Sequence, residues 1–462
     1  MSAPTRRPAA KKTAAHNETG TASTTVAGVP ALTAPRRARG LSTTDVVLDN
    51  GLRVLVVRKP GVPLAEVRLR VPFLSARSGH SARAALLADT ILTGTQSRDR
   101  AALAAAIQAL GADLQTGVDA DRLLFSGNVL ATNLRPLLAL LAEIIASAAY
   151  RDADVVGERD RLVEKLTIAR SRSAVVAAEA LARRMYGSHP YASDLPQPEE
   201  VRATGAAALR RLHTDLIRPE GSVLVVVGDV SPARVVDQIQ AALRDWTGTP
   251  PRGRIPALPA TAPGPFEVVH RDGSVQSSLR LGGPALRRSD PRYAALQLAN
   301  TVFGGYFSSR WTENLREDKG YTYGPHSRLE HNVLGSSLVL DAEVATEVTA
   351  PAVLETVYEL GRLASLPVTS DEVEAVRQYS IGTLALSTAT QAGLASTLSG
   401  LVGNGLDPSW LQEHPGNLAK VSVEEVSAVA AEFFAPTRLV GVVVGDAGVI
   451  SEPLAKIVAV GP

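Results

Sequence analysis

Apolar and polar positions along the first folded stretch of the chain follow a pattern typical of strands. Residues 45–57 form two mostly apolar runs around Asn50-Gly51, a dipeptide that favours a tight hairpin turn. Residues 65–71 alternate apolar and charged side chains, which predicts a strand with one buried face. The folded part of the chain is therefore expected to begin with paired strands.

Helical periodicity dominates the rest of the first half. Apolar residues recur every three or four positions in several segments, and shorter apolar runs lie between them. Helices are predicted over 81–92, 101–110, 134–146, 152–170, 175–185, 206–216 and 232–246, and strands over 112–118, 122–129 and 222–227. This half is therefore expected to pack helices against a sheet.

The second half repeats this pattern. The five-residue unit Val-Val-Val-Gly-Asp occurs at 225–229 and again at 442–446, each time after a helix and an arginine-containing turn. Strands are predicted over 268–269, 277–281, 336–344 and 439–444, and helices over 291–302, 350–363, 371–386, 389–403 and 423–434. An internal duplication with a period near half the chain predicts two tandem domains of similar fold.

The predicted domain boundaries follow from composition. Residues 1–40 are rich in alanine, threonine and proline and are expected to be a disordered basic tail. Residues 41–247 form the first domain, the proline- and glycine-rich residues 248–265 a linker, and residues 266–462 the second domain. The predicted fold class is α+β, in which each half is a mixed, mostly antiparallel sheet packed with helices.

Bulk composition excludes several classes of function. The net charge of +2 over 462 residues argues against a general nucleic-acid binder. The chain has no cysteine, which excludes disulfides, thiolate zinc sites and cysteine nucleophiles. Because no run of about 18 apolar residues occurs, no membrane span is expected. The tail carries seven lysines and arginines against Glu18 alone, so a mitochondrial transit peptide is the alternative to plain disorder.

Residues 303–324 hold the most informative side chains. Gly304-Gly305 predicts a turn, and Trp311 and Leu315, four residues apart, predict one face of a short amphipathic helix. Gly320 stands where a helix C-cap is expected, and the β-prone residues 321–323 are predicted to re-enter a sheet.

This arrangement brings two peptide-binding groups together. Arg316 would lie in the last turn of the helix and Tyr323 on the following strand, on one surface. A guanidinium and a phenol both hydrogen-bond well to peptide carbonyls.

The same stretch resembles the C-terminal-domain signature of the pitrilysin/insulinase-like zinc metallopeptidases. There a glycine-rich turn, Ser-Arg-Leu, Leu-Arg-Glu-Lys-x-Gly and a tyrosine occur in this order. The resemblance implies that Arg316 and Tyr323 grip the substrate, with Gly304, Gly305 and Ser309 in support. It also implies the duplicated halves of that family's fold over everything except the tail.

The zinc motif of this family is absent. Active members carry an inverted H-x-x-E-H motif shortly before a Gly-Thr pair, and a third ligand about seventy to eighty residues further on. Gly94-Thr95 sets the register here, and the slots for the two ligand histidines and the catalytic glutamate then hold Ala85, Asp89 and Ala88. The third-ligand slot falls on Glu164 or Lys165. We therefore expect no metal on this chain, and no pair of its eight histidines has replacement ligand spacing.

The resemblance therefore implies a non-catalytic, substrate-binding subunit that is inactive alone. Its partner would be a homologous subunit that carries the zinc, and the two would cleave peptides as a heterodimer. The long glycine-rich loop of the mitochondrial processing subunit is missing, so a bacterial cytoplasmic protein is expected. The mitochondrial matrix is the alternative because of the basic leader.

Two other functions remain open at this stage. A structural core-type scaffold of the same fold would have no proteolytic role and no need for Arg316 and Tyr323. A free-standing hydrolase ranks last, since no Ser/His/Asp or paired-carboxylate constellation stands out.

Overall fold

The computed structural model describes residues 42–193, 195–251 and 255–461. The predicted tail, residues 1–40, lies outside the described residues. Residues 42–461 contain two six-stranded sheets. None of the helices in the described part is both long and apolar enough to cross a membrane.

The first sheet is built from the strands predicted in the first half. Its strands are β1 (Ser42–Val47), β2 (Arg53–Arg58), β3 (Leu64–Pro72), β4 (Asp113–Val118), β5 (Arg122–Leu130) and β6 (Val223–Gly228). Their order in the sheet is β1-β2-β6-β3-β5-β4. β1 and β2 form the predicted hairpin, and Gly51 has the positive φ of 88° that its turn requires. The pair β2 and β6 is parallel, and the other neighbours are antiparallel.

Helices cover the first sheet as the periodicity predicts. They are α1 (His80–Thr90), α2 (Arg100–Ala109), α3 (Leu134–Ser147), α4 (Asp152–Arg170), α5 (Ser173–Tyr186), α6 (Pro198–Arg202), α7 (Ala206–Leu216) and α8 (Pro232–Leu243). Short 3₁₀ turns span Ala131–Asn133 and Pro190–Ser193.

The second half repeats this architecture. Its strands are β7 (Phe266–His270), β8 (Gln276–Ala285), β9 (His326–His331), β10 (Ser336–Ala345), β11 (Val440–Gly445) and β12 (Val460–Gly461). The sheet order β12-β7-β11-β8-β10-β9 matches the first sheet from its second strand onward, including the parallel pair of β7 and β11. The edge strands differ, because β12 is parallel to β7 whereas β1 is antiparallel to β2. The predicted duplication and the α+β class are therefore confirmed.

The helices of the second half also match the pattern. They are α9 (Tyr293–Asn300), α10 (Arg310–Thr312), α11 (Thr349–Ser365), α12 (Ser370–Ser387), α13 (Gln391–Gly403), α14 (Trp410–Lys420), α15 (Val423–Phe433) and α16 (Ala447–Ala455). π-Helical turns span Thr301–Gly305 and Glu313–Asp318, and 3₁₀ turns span Thr346–Val348 and Pro436–Arg438. The sequence did not predict α14 or α16, each of which contains a proline, Pro415 and Pro453.

Each sheet is covered on its second face by a helix from the other half. Helix α13 packs Leu394, Leu398 and Val402 against the valines and leucines of β2 and β6. Helix α5 packs Leu181 and Met185 against β10 and β11. Both faces of β6 and β11 are therefore buried, which explains why the two strands are continuous valine runs and do not alternate.

The predicted linker connects the two sheets. Its described residues within 248–265 contain no helix or strand. Pro265, at its end, accepts a 2.6 Å hydrogen bond on its carbonyl from Nη1 of Arg184 on α5. The domain boundaries themselves remain a prediction.

Candidate substrate-binding site

The Gly304-Gly305 pair continues helix α9 and does not form the predicted turn. It ends the π-helical turn Thr301–Gly305, where a tight fit forces glycine at both positions. A Cβ on Gly304 would lie 2.9 Å from Ser327 Oγ and 3.0 Å from the Trp311 ring, and one on Gly305 would lie 3.0 Å from the carbonyl oxygen of Asn300. The glycines therefore let this turn pack closely, and their role in supporting a substrate site remains a prediction.

Trp311 and Leu315 anchor the signature helix, which consists of α10 and the π-helical turn Glu313–Asp318, in the core, as predicted. Both are completely buried. The Trp311 ring stacks on Phe303 with 5.3 Å between centroids, and its Nε1 donates a 3.0 Å hydrogen bond to Thr356 Oγ1 on α11. Because the ring is held on both its face and its edge, the outer side of the same helix is fixed in position.

Ser309 and Arg310 hold the start of this helix. The buried hydroxyl of Ser309 lies 2.8 Å from that of Thr312. Arg310 donates two hydrogen bonds, of 2.6 and 2.8 Å, to the carboxylate of Glu372 on α12. The hydrogen bonds from Arg310 lower the pKa of Glu372 to about 2, so this pair stays charged. The supporting role that the resemblance implies for Ser309 remains a prediction.

The prediction that residues 321–323 form a strand is wrong. Gly320 caps the helix with φ of 65°, as expected, and Tyr321 N–H then donates to Leu315 O over 2.8 Å. The chain runs on as a loop to Pro325, which has no N–H for a ladder, and β9 begins only at His326. Tyr323 therefore lies on a loop.

Arg316 and Tyr323 nevertheless meet, as predicted. The guanidinium carbon of Arg316 lies 4.9 Å from the centre of the Tyr323 ring and 4.6 Å from that of Phe307. Tyr323 is 88% exposed and Phe307 62% exposed. Arg316 Nε also lies 3.1 Å from Glu317 Oε1. Phe307 was not singled out in the sequence, although it stands in the same glycine-rich segment.

This cluster of Phe307, Arg316 and Tyr323 can bind a peptide backbone. A guanidinium has five N–H donors in a fixed plane, and two aromatic faces hold that plane here. Each cation–π contact at an exposed site is worth about 0.5–1 kcal/mol. The remaining donors, with the Tyr323 hydroxyl, are free to meet carbonyl or carboxylate oxygens of a ligand.

The zinc slots of the first half do not fit a metal. On helix α1, Ala85 and Ala88 have no side-chain atom that could bind a metal. Of the three slots, only Asp89 has one, its carboxylate. Desolvation raises the pKa of Asp89, and the positive charge of Lys165 opposes that rise. A cation from the third-ligand region thus lies near Asp89, as does the carboxylate of Glu158. Within residues 42–193, 195–251 and 255–461 no group of three or more His, Cys, Asp or Glu side chains could hold a metal ion.

His80, the histidine nearest these slots, has a structural role. Its Nε2 lies 2.6 Å from the carbonyl oxygen of Phe73. Burial lowers the pKa of His80 to about 4, so the ring is neutral at neutral pH. It precedes the first slot by five residues and lies at the start of helix α1.

Comparison with known proteins places the two halves in one family. Residues 81–199 match the family described as insulinase (peptidase family M16), and residues 205–379 match the peptidase M16 inactive domain. The second match contains the cluster formed by Phe307, Arg316 and Tyr323, and the first contains the degenerate zinc slots.

The relatives are distant. An uncharacterized zinc protease of Streptomyces coelicolor is 25% identical over 61% of this chain, and the chain spans 63% of that protein's length. An uncharacterized zinc protease of Mycobacterium bovis is 25% identical over 86% of this chain, and the match covers 93% of that protein's length. Cytochrome b-c1 complex subunit 1 of Bos taurus is 23% identical over 56% of this chain and 55% of its own.

Solved structures agree on the fold. A peptidase M16 inactive domain from Pseudomonas fluorescens superposes with a TM-score of 0.80 and 24% identity, over 88% of this chain and 98% of that one. The two matched segments, the duplicated sheets and this likeness agree. The chain belongs to the insulinase family of peptidases, peptidase family M16.

Proposed function

We propose that this chain is the non-catalytic, substrate-binding subunit of a heterodimeric zinc metallopeptidase. Arg316 and Tyr323 would act in the active site of a homologous, zinc-bearing partner and hold the peptide there. The chain alone would hydrolyse nothing, because Ala85, Ala88 and Asp89 cannot hold or use the metal. A bacterial cytoplasmic location belongs to this proposal, with the mitochondrial matrix as the alternative.

The exposed cluster of Phe307, Arg316 and Tyr323 is the observation that carries the proposal. Arg310 of the same segment is enclosed and forms an ion pair with Glu372, whereas Arg316 contacts two largely exposed rings and pairs with the exposed carboxylate of Glu317. Exposing two aromatic side chains has a cost in solubility and no benefit to the core. The arrangement is what a binding surface requires, since it presents a fixed guanidinium plane and a phenol to solvent.

Loss of the zinc ligands alone does not decide between a binding subunit and an inert one. The retained cluster favours the former, because a scaffold needs no peptide grip. In a two-chain enzyme the metal and the gripping residues can lie on different subunits, which is compatible with a degenerate site on this one.

A structural scaffold is the second candidate. It is favoured by the similarity to subunit 1 of the cytochrome b-c1 complex, a protein named as a component of a larger assembly. In that case the chain would still bind a homologous partner, but substitution of Arg316 or Tyr323 would leave every activity of the assembly unchanged.

Reconstitution tests the proposal. The chain is purified alone, its zinc content is measured, and it is then mixed with a homologue that carries an intact H-x-x-E-H motif. We expect no stoichiometric zinc and no peptide hydrolysis for the chain alone, and an earlier-eluting complex with new hydrolysis for the mixture. One tightly bound zinc per chain, or a mixture with neither complex nor gain in hydrolysis, would contradict it.

A further inference from the structure

The second half also contains a cleft whose lining includes none of Phe307, Arg316 and Tyr323. An open cleft of about 650 Å³ lies between helices α9, α12, α13 and α14 and the edge strand β9. Small-molecule and peptide-end sites in proteins typically have volumes of about 300–1,000 Å³. The cleft is therefore large enough for a ligand of a few residues.

The lining of this cleft contains no acidic side chain. Hydroxyl groups and cationic or imidazole groups line it instead. The cationic and imidazole groups belong to Arg288, Arg328, His326 and His414. Such a surface favours a ligand that is rich in hydrogen-bond acceptors and carries negative charge.

Arg288 is the cation at one end of the cleft. Its guanidinium lies 5.8 Å from the centre of the Trp410 ring, and its buried Nε has no hydrogen-bond partner. Among the described residues no carboxylate lies within ion-pair distance of Arg288, whereas Arg280 and Arg328 of the second sheet both pair with Asp341. A half-buried guanidinium without an anion leaves a donor unpaired, which has a cost unless a ligand supplies the acceptor.

Two imidazole groups near Arg288 are neutral at neutral pH. Burial, reinforced by the charge of Arg288, lowers the pKa of His414 to about 4 and that of His331 to about 3. His414 stacks on Trp410 with 4.0 Å between centroids, and its Nε2 lies 2.7 Å from Gln297 Oε1. At neutral pH Arg288 is therefore the charged group that faces this end of the cleft.

Asn300, the last residue of α9, lies at the other end of the cleft from Tyr293. It is only 7% exposed, and its Nδ2 donates a 3.3 Å hydrogen bond to the carbonyl of Ser327. Its side-chain oxygen is buried without any donor. Asn300 is one of the residues that line the cleft, and a ligand N–H that reached this buried oxygen would satisfy it, since unsatisfied buried acceptors cost about 1–3 kcal/mol.

The spacing of these groups along α9 sets the length of the ligand. Tyr293, Gln297 and Asn300 share one face of the helix and line the cleft. With a rise of about 1.5 Å per residue, Tyr293 and Asn300 are about 10 Å apart along the axis. Tyr293 is the residue near Arg288, because its ring lies 6.3 Å from that of Trp410. An extended peptide covers about 10 Å with three residues.

We propose that this cleft binds the carboxyl-terminal end of a short peptide. Arg288 takes the terminal carboxylate, and Asn300 Oδ1 accepts a backbone N–H about three residues upstream. The choice of a peptide rests on the proposed function, which supplies peptides as substrate or product. The site lies on this chain alone, and ligand binding here needs neither the partner nor its metal.

A binding experiment on the full chain tests this proposal. Trialanine with a free carboxylate and trialanine amide are titrated separately by calorimetry. The fluorescence of the three tryptophans, which include Trp410 in the cleft, provides a second signal. We expect trialanine to bind at least about tenfold more tightly than its amide. Arg288→Gln should remove this difference, whereas Arg234→Gln, an exposed arginine on α8, should keep it. Asn300→Ala should weaken both peptides by a similar factor.

Several outcomes would overturn the proposal. Equal affinity of the wild-type chain for the two peptides would do so without any variant, even if Arg288→Gln fails to fold. Propionate binding as tightly as trialanine would reduce the site to a simple anion site and refute the peptide assignment. The titration contains no partner subunit, so its failure leaves the reconstitution result standing, and failed reconstitution leaves this result standing.

Discussion

Arg310 and Glu372 form a two-point ion pair that ties the signature helix to α12. Nε and Nη2 of Arg310 lie 2.6 and 2.8 Å from the two carboxylate oxygens, and the arginine side chain is only 8% exposed. Glu372 also closes the capping box of α12 with Thr369. The pair therefore fixes the segment that carries Arg316 without taking part in binding itself.

Glu372→Gln should destabilise the chain by about 2 kcal/mol, because it leaves the enclosed Arg310 guanidinium without its anion. Unfolding by denaturant measures this. Glu374→Gln is the matched control on the same helix, since the exposed Glu374 pairs with Arg377 at the surface and should change stability by less than about 0.5 kcal/mol. Equal effects of the two substitutions would contradict the assigned role of Glu372.

The same pair makes stability depend on pH in acid. The pKa of Glu372 is about 2 in the folded chain and about 4.3 when unfolded, so the folded state favours the ionised carboxyl. The stabilisation is present above about pH 4.3 and is lost as the pH falls toward 2. We expect the difference in melting temperature between wild type and Glu372→Gln to shrink over this range.

Helix α13 belongs to the second half but packs on the first sheet, so it should couple the stability of the two halves. Leu398 is 1% exposed and packs on the first sheet, although it belongs to the second half of the chain. Leu398→Ala should cost about 2–5 kcal/mol and should preserve a single unfolding transition for both sheets. Leu386→Ala on α12, where the side chain is 76% exposed, should cost less than about 0.5 kcal/mol. Two separated transitions in wild type would contradict this coupling.

The strands and most helices could be predicted from the chain because their signals are local. The Asn50-Gly51 turn and the two Val-Val-Val-Gly-Asp units each mark a feature that the structure keeps. Pro325 is an equally local signal against a strand at Tyr323, because proline cannot donate to a strand ladder. The structure follows Pro325, and the β-propensity of the tyrosines is not realised.

Phe307 and the cleft beside α9 could not be predicted from the sequence, because they depend on contacts between segments that are distant in the chain. Phe307 reaches Arg316 only because a π-helical turn and the loop after it direct the chain back over the helix. The cleft beside α9 needs Gln297 and His414, which are 117 positions apart. No periodicity or short motif encodes such a distance, so these features appear only once the fold is known.

Substitutions in the exposed cluster should affect catalysis by the reconstituted enzyme and not its assembly. Arg316→Ala and Tyr323→Phe should each lower kcat/KM by at least about tenfold, because in the proposed heterodimer each would remove a donor to the peptide in the partner's site. Arg202→Ala, an exposed arginine in a surface ion pair on α6, is the matched control and should leave kcat/KM unchanged. Wild-type kinetics for both cluster variants in an intact complex would favour the scaffold function.

Phe307→Leu should produce a smaller effect of the same kind. Leucine keeps the apolar bulk but removes the aromatic face that lies 4.6 Å from the Arg316 guanidinium. A cation–π contact worth about 0.5–1 kcal/mol corresponds to a two- to fivefold loss in kcat/KM, provided that the ring orients Arg316 for the peptide. In the Arg316→Ala background the same substitution should have no further effect, because there is no guanidinium left to orient. An additive loss in the double variant would mean that Phe307 contacts the peptide directly.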